Sequence, residues 1–187
     1  MTDLGLLQEA LTIPSGVTAA LCLTVAPMFR TRQTILLVQL AAGICFAAHY
    51  YCLGISVASL ATVLGAVQTG AAIFSAKGAA MNRLGYGLIV LMALVGLWFW
   101  QGPISALSVG AVTLIALGRM QQDELHLRLL LLAGGGLWIA HDFIGEAWIA
   151  LTADVGAALV GVVALSAMLV RVTIEWRPPA SFQAAAA

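Results

Sequence analysis

LAGGGLWIAHDFIGEAWIALTAD, residues 132–154, is the stretch on which the reading of this chain turns. Almost all of it is apolar, yet it carries Trp138, His141, Asp142, Glu146 and Asp154. A second stretch, LAAGICFAAHYYCLGISVASLAT at 40–62, reads as an earlier copy. Ala41, Gly43, Phe46, Ala48 and His49 precede Ala133, Gly135, Trp138, Ala140 and His141 by 92 positions. After one skipped residue, Gly54, Gly65 and Gly70 precede Gly145, Gly156 and Gly161 by 91. A helix pair repeated in this way predicts a duplicated membrane bundle, with the functional site at the interface between the copies.

Composition sets the solvent. Of 187 residues, 62% are hydrophobic and 9% charged, and the mean hydropathy is +1.03. Soluble domains carry about a quarter charged residues, so the chain belongs with membrane proteins. Its formal net charge is zero, which gives no basic footprint for nucleic acid or an anionic lipid surface. Cys22, Cys45 and Cys52 lie inside apolar runs without metal-ligand or redox spacing and read as packing thiols. The N-terminal segment MTDLGLLQEALTIPSG is acidic and lacks a basic region, which argues against a cleaved signal peptide.

A helix needs about 20 apolar residues to cross the hydrocarbon core. Ile13–Phe29 is the first candidate span, lengthened if Leu4–Leu11 continues it past Pro14. Thr34–Leu53 and Ile55–Ala76 follow around a turn at Gly54, and Leu84–Trp100 ends in Trp98, Phe99 and Trp100. Gln101, Gly102 and Pro103 turn the chain into a short fifth span, Ile104–Leu117. Arg119–Arg128 reads as a solvated loop, with Asp123 and Glu124 near a helix start. Leu129–His141 and Ala147–Val170 complete seven spans, and 173–187 reads as a disordered tail.

The cations support that count. Arg30, Arg32, Lys77, Arg83, Arg119, Arg128, Arg171 and Arg177 all fall on one side if there are seven spans. Asp3, Glu9, Asp142 and Glu146 fall on the other. The positive-inside rule then puts the N-terminus outside and the C-terminus in the cytoplasm. Four spans separate equivalent helices, so the two copies share one orientation. The expected architecture is all-α: residues 1–172 form one domain, with repeat one at about 13–76, a linker helix at 84–100 and repeat two at about 104–171. Parallel repeats of this kind are a transporter plan with sites near the midplane.

The segment FRTRQTILLVQLAAGICFAAHYYCLG resembles the start of the YgjV-type bacterial inner-membrane proteins. The resemblance rests on a basic turn at Arg30 and Arg32, then a Leu-rich helix ending in Phe46-x-x-His49, then Leu53-Gly54. It implies a multi-pass protein of the bacterial inner membrane. At greater distance, the three-plus-one-plus-three plan resembles the SWEET sugar facilitators, PQ-loop proteins and PnuC-type transporters. That likeness implies a binding pair of an aromatic on the second helix of each triple and a polar residue on the third. Trp138 and Asp154 match in the second copy, and Phe46 with Thr62, or Val63, in the first. The Pro-Gln dipeptide of PQ-loop proteins is absent from both triples.

Asp154 is the residue of greatest interest, since a carboxylate within a span is costly unless it is protonated, paired or wetted. Packing against a backbone carbonyl or Thr152 is the alternative. Phe46, Thr62, Trp138 and Asp154 are the expected solute-binding residues. His49 and His141 end equivalent helices and read as a gate or proton relay, or else as caps at the headgroup level. Gln39 and Gln68 are secondary candidates for a polar pathway, equally explained by interhelical hydrogen bonds. Trp98, Trp100 and Trp148 fit an aromatic belt. The triple Gly134-Gly135-Gly136 reads as a flexible point or as close packing against span seven.

No phosphate-binding glycine loop, catalytic triad spacing or HExxH occurs, so the chain reads as no enzyme, with no cofactor and no metal. The expected function is passage of a small polar solute, with or without proton coupling, in contact with lipid and without nucleic acid. The alternative is a non-transporting membrane subunit or receptor-like protein, paired with itself or with another membrane protein. A polar cavity between the triples would favour the first; a packed interior would favour the second.

Overall fold

A computed structural model of the chain describes residues 3–54, 56–100, 102–146 and 148–175. Seven helices make up its regular structure: α1 (Asp3–Val25), α2 (Arg32–Cys52), α3 (Ser56–Phe74), α4 (Ala79–Trp98), α5 (Ile104–Met120), α6 (Glu124–Ile144) and α7 (Trp148–Glu175). Short 3-10 turns, Ala26–Met28 and Ser75–Lys77, close α1 and α3. Ile55, Gln101, Ala147 and residues 176–187, which enter the expected boundaries and tail, lie outside the described residues.

Six helices are long and apolar enough to cross a membrane, and α5, with 17 residues, is the shorter one. Their outward faces carry Leu60, Val63, Leu159, Val163 and Trp98, all well exposed. In water such a surface would drive aggregation, whereas in lipid it meets matching solvent.

Several boundaries differ from those expected of the sequence. α1 runs through Pro14 without ending, beginning at Asp3. α4 begins at Ala79 rather than Leu84. α6 begins at Glu124 rather than Leu129, so much of the supposed loop is the first turn of a helix. The cause is its cap: Asp123 accepts a hydrogen bond from the His126 N–H at 2.9 Å, satisfying an otherwise orphaned donor. α7 continues to Glu175, so 173–175 are helical rather than tail.

The cap makes a testable contribution. The backbone hydrogen bond from His126, and then its side chain, hold the Asp123 carboxyl below its usual range. A depressed folded-state pKa means the stabilisation is present above the unfolded-state value and lost as pH falls through the folded one. The gap in melting temperature between wild type and Asp123→Ala should therefore be open at neutral pH and close in acid. An equal gap at pH 7 and pH 3 would show that the cap acts without its charge.

The repeat is carried in the hydrogen bonds themselves. α2 and α6 have 21 residues each, and each boundary of α6 lies 92 after that of α2. The N-caps Thr31 and Asp123 each accept from the N–H three residues on. Leu53 N–H donates to His49 O and Gly54 N–H to Tyr51 O; Gly145 N–H donates to His141 O and Glu146 N–H to Phe143 O. Phe29 N–H to Ala26 O and Gln121 N–H to Gly118 O match in the same way. Every pair is offset by 92, so no residue is skipped at the turn, contrary to the 91-residue glycine register. The left-handed position is held by Gly54 (φ 73°) in one copy and Glu146 (φ 55°) in the other. Glycine moved off the position while the turn stayed. Thr62, rather than Val63, is therefore the counterpart of Asp154.

The basic end of the bundle is closed by packing. Ile35, Leu36, Ala72, Ile89, Ala116, Met120 and Leu127 form a buried cluster from five helices. Two arginines tie its rim reciprocally. Arg32 of α2 donates to the carbonyls of Arg119 and Gln121 at the end of α5, and to Ala72 O. Arg128 of α6 donates to the carbonyls of Pro27 and Phe29 at the end of α1, and to Glu124 at 2.6 Å. Residues 27 and 29 are the 92-residue counterparts of 119 and 121. Arg32 on α2 thus caps α5, and Arg128 on α6 caps α1, each satisfying carbonyls that a helix end leaves without partners.

Candidate functional site

A cavity of about 1060 Å³ lies between the helices of the two copies. Its walls follow the 92-residue register: Phe46 faces it with Trp138, Tyr50 with Asp142, Thr62 with Asp154, Gln39 with Leu131, and Pro27 with Arg119. On α6 the lining residues Arg128, Leu131, Gly135, Trp138 and Asp142 recur at spacings of three and four, one face of a helix. The scaffold is symmetric but its chemistry is not. The first copy supplies amide, phenol and hydroxyl groups, and the second supplies two guanidinium groups and three carboxyls.

All four expected solute-binding residues, Phe46, Thr62, Trp138 and Asp154, line this cavity. Gln39 lines it too. Gln68 does not: it is fully buried and its Nε2 donates to Ala116 O at 3.1 Å, an interhelical bond between α3 and α5.

The two histidines part company. His49 Nδ1 lies 2.7 Å from the carbonyl of Thr12, so it donates there and pins α2 to α1. Its ring packs so closely on Gly16 that a Cβ at that position would lie 2.8 Å from it. Neither histidine is part of the cavity wall. His141 touches it indirectly: Nδ1 is 3.0 Å from Asp142 Oδ1, and its ring meets Trp138 edge-on at 5.2 Å.

Asp142 departs most from expectation. Its place beside the turn suggested a watery carboxylate, but it is 4% exposed. It follows Trp138 by four residues, so it shares that inward face and not the outward one. The Asp142 and Asp154 side chains line the same cavity as neighbours, with His141 bonded to Asp142 beside them. Trp148 also lines the cavity, so it is not solely a belt residue. Tyr50, Thr69, Arg119, Arg128 and Glu146 complete the polar lining.

The glycines of α6 divide. A Cβ at Gly134 would meet Ile115 Cγ1 at 2.6 Å and Ala111 O at 2.9 Å, so this residue admits α5, not α7. Gly135 and Gly136 have open space around them. Of Gly65, Gly70, Gly156 and Gly161, only at Gly161 would an added Cβ lie closer than van der Waals distance to a neighbour, the Leu132 side chain. Among the described residues no group of three His, Cys, Asp or Glu side chains converges to hold a metal.

No curated protein and no solved structure matches the chain. A family model, Imp-YgjV, described as a bacterial inner membrane protein, matches residues 14–171. That match runs from the middle of α1 to the last turns of α7 and takes in the whole cavity, so the chain belongs to the Imp-YgjV family of multi-pass bacterial inner membrane proteins.

Proposed function

We propose that the protein is a proton-coupled transporter of a small polar solute, with its site in the cavity between two parallel three-helix repeats. In this reading α1–α3 and α5–α7 are the repeats and α4 is the linker. All seven helices cross the membrane, and the basic end faces the cytoplasm. α5 is about 25 Å long at 1.5 Å per residue, and Arg119 in its last turn can reach the interface by snorkelling.

The single observation that carries the reading is the Asp142–Asp154 pair in the wall of that cavity. Ionisable groups within a membrane are costly and cluster on solute and proton pathways. Two neighbouring carboxyls can take up or release a proton as the solute arrives, and His141 beside Asp142 offers the next acceptor. Trp138 and Phe46 give the solute aromatic walls, one from each repeat. A non-transporting subunit would be expected to pack its interior, and the cavity weighs against that alternative.

The test is proton entry into liposomes carrying the purified protein and a pH-sensitive dye, driven by gradients of a panel of small polar solutes. At least one solute should drive proton entry about tenfold above protein-free liposomes. Asp154→Asn should abolish the proton signal, and Trp138→Ala should slow solute uptake by at least about tenfold, the loss of more than 1.4 kcal/mol of binding. Unaltered solute and proton movement in both variants would sink the assignment of the site.

A further inference from the structure

We propose that the basic end of the cavity is a binding site for a carboxylate, so that the solute is a small organic monoanion. The site is formed by Arg119 and Gln39. Arg119 stands where the first copy has Pro27, in an otherwise apolar helix, and lines the cavity. Its Nε donates to Gln39 Oε1 at 3.0 Å. Among the described residues no carboxylate lies within ion-pair distance of it.

The neighbouring cations are spent. Arg128 is bonded to Glu124 and to two carbonyls, and Arg32 to three carbonyls. Of the two arginines that line the cavity, Arg119 alone has no carboxylate partner, and its two terminal nitrogens are left for a ligand.

Gln39 adds a second donor. A guanidinium only donates, so the amide oxygen must face Arg119 and the amide nitrogen must face away. That orientation is fixed by chemistry, not chosen. Gln39 is 7% exposed and lines the same cavity, and its nitrogen has no partner among the described residues. The result is a set of donors with no acceptor, which suits an anion. One uncompensated charge matches a monoanion, and the planar guanidinium fork matches the two oxygens of a carboxylate. A phosphate dianion would leave one charge unmet and face the carboxyl pair farther along the cavity.

The inference rests on the cavity being a solute site, and it is tested by binding alone, so a failure of transport and a failure of anion recognition are told apart. Melting temperatures of the purified full-length protein in detergent are measured with sodium propionate and benzoate, against propionamide and benzamide at equal ionic strength. A carboxylate at about 100 times its Kd should raise the wild-type midpoint by about 5 °C, and the neutral amides should not. Arg119→Gln should remove the shift and Gln39→Leu should weaken binding about tenfold. Arg119→Lys, which keeps the charge without the fork, should retain a smaller shift, and it serves with Gln39→Leu if Arg119→Gln does not fold. Equal stabilisation by the amides, no shift with either carboxylate, or undiminished binding in Arg119→Gln or Gln39→Leu would each overturn the proposal.

Discussion

Replacing Arg128 by alanine should lower the stability of the protein by about 3 kcal/mol, the cost of breaking a largely buried ion pair. The side chain is 6% exposed, and Glu124, its partner at 2.6 Å, is 29% exposed. Removal leaves that carboxylate uncompensated and deprives the Pro27 and Phe29 carbonyls of their arginine donor. Lysine should recover only part of the loss, because a single ammonium cannot serve a carboxylate and two carbonyls in the geometry a planar guanidinium holds. Glu124→Gln combined with Arg128→Met should be less destabilised than Arg128→Ala, since neither charge is then stranded. Equilibrium unfolding in detergent provides the measurement. A cost below about 1 kcal/mol for Arg128→Ala would mean that water replaces the arginine at the helix end.

The second large effect is a contrast of sign within one glycine triplet. Gly134→Val should destabilise by about 3 kcal/mol, because the first atom of any side chain there meets the α5 backbone at Ala111 O, which moves only with its helix. Gly136→Ala, with nothing within 4 Å, should stabilise by about 1 kcal/mol through helix propensity alone. Melting temperatures of the two variants should therefore move in opposite directions. Movement of both upward would deny the close approach of α5 and α6, and movement of both downward would point to a hinge that needs flexible backbone.

The spans and the duplicated helix pair were legible because hydrophobicity and the 92-residue recurrence survive without knowledge of contacts. Phe46, Thr62, Trp138 and Asp154 were singled out by the likeness to three-plus-one-plus-three transporters, and all four line the cavity. The depth of Asp142 was not legible, because its neighbours in sequence form a turn while its helical face turns inward. Spacing to Trp138 held that signal. The role of Arg32 and Arg128 was hidden by the repeat itself: the counterpart of Arg32 is Glu124, and that of Arg128 is Leu36. Equivalent carbonyls are reached from positions one turn apart, a relation that sequence alignment of the copies conceals. The turn glycines misled in the opposite way, suggesting a one-residue gap because glycine had changed position while the backbone had not.

The crossed arginines bear on whether either half of this chain is a self-sufficient fold. A fragment ending in α4 would carry Arg32 without the Arg119 and Gln121 oxygens it serves, and would leave Pro27 and Phe29 without the donor that lies beyond the cut. The second fragment would lack the reciprocal set. Two separately expressed halves should accordingly be short-lived alone and stable together, each completing the other as a subunit would.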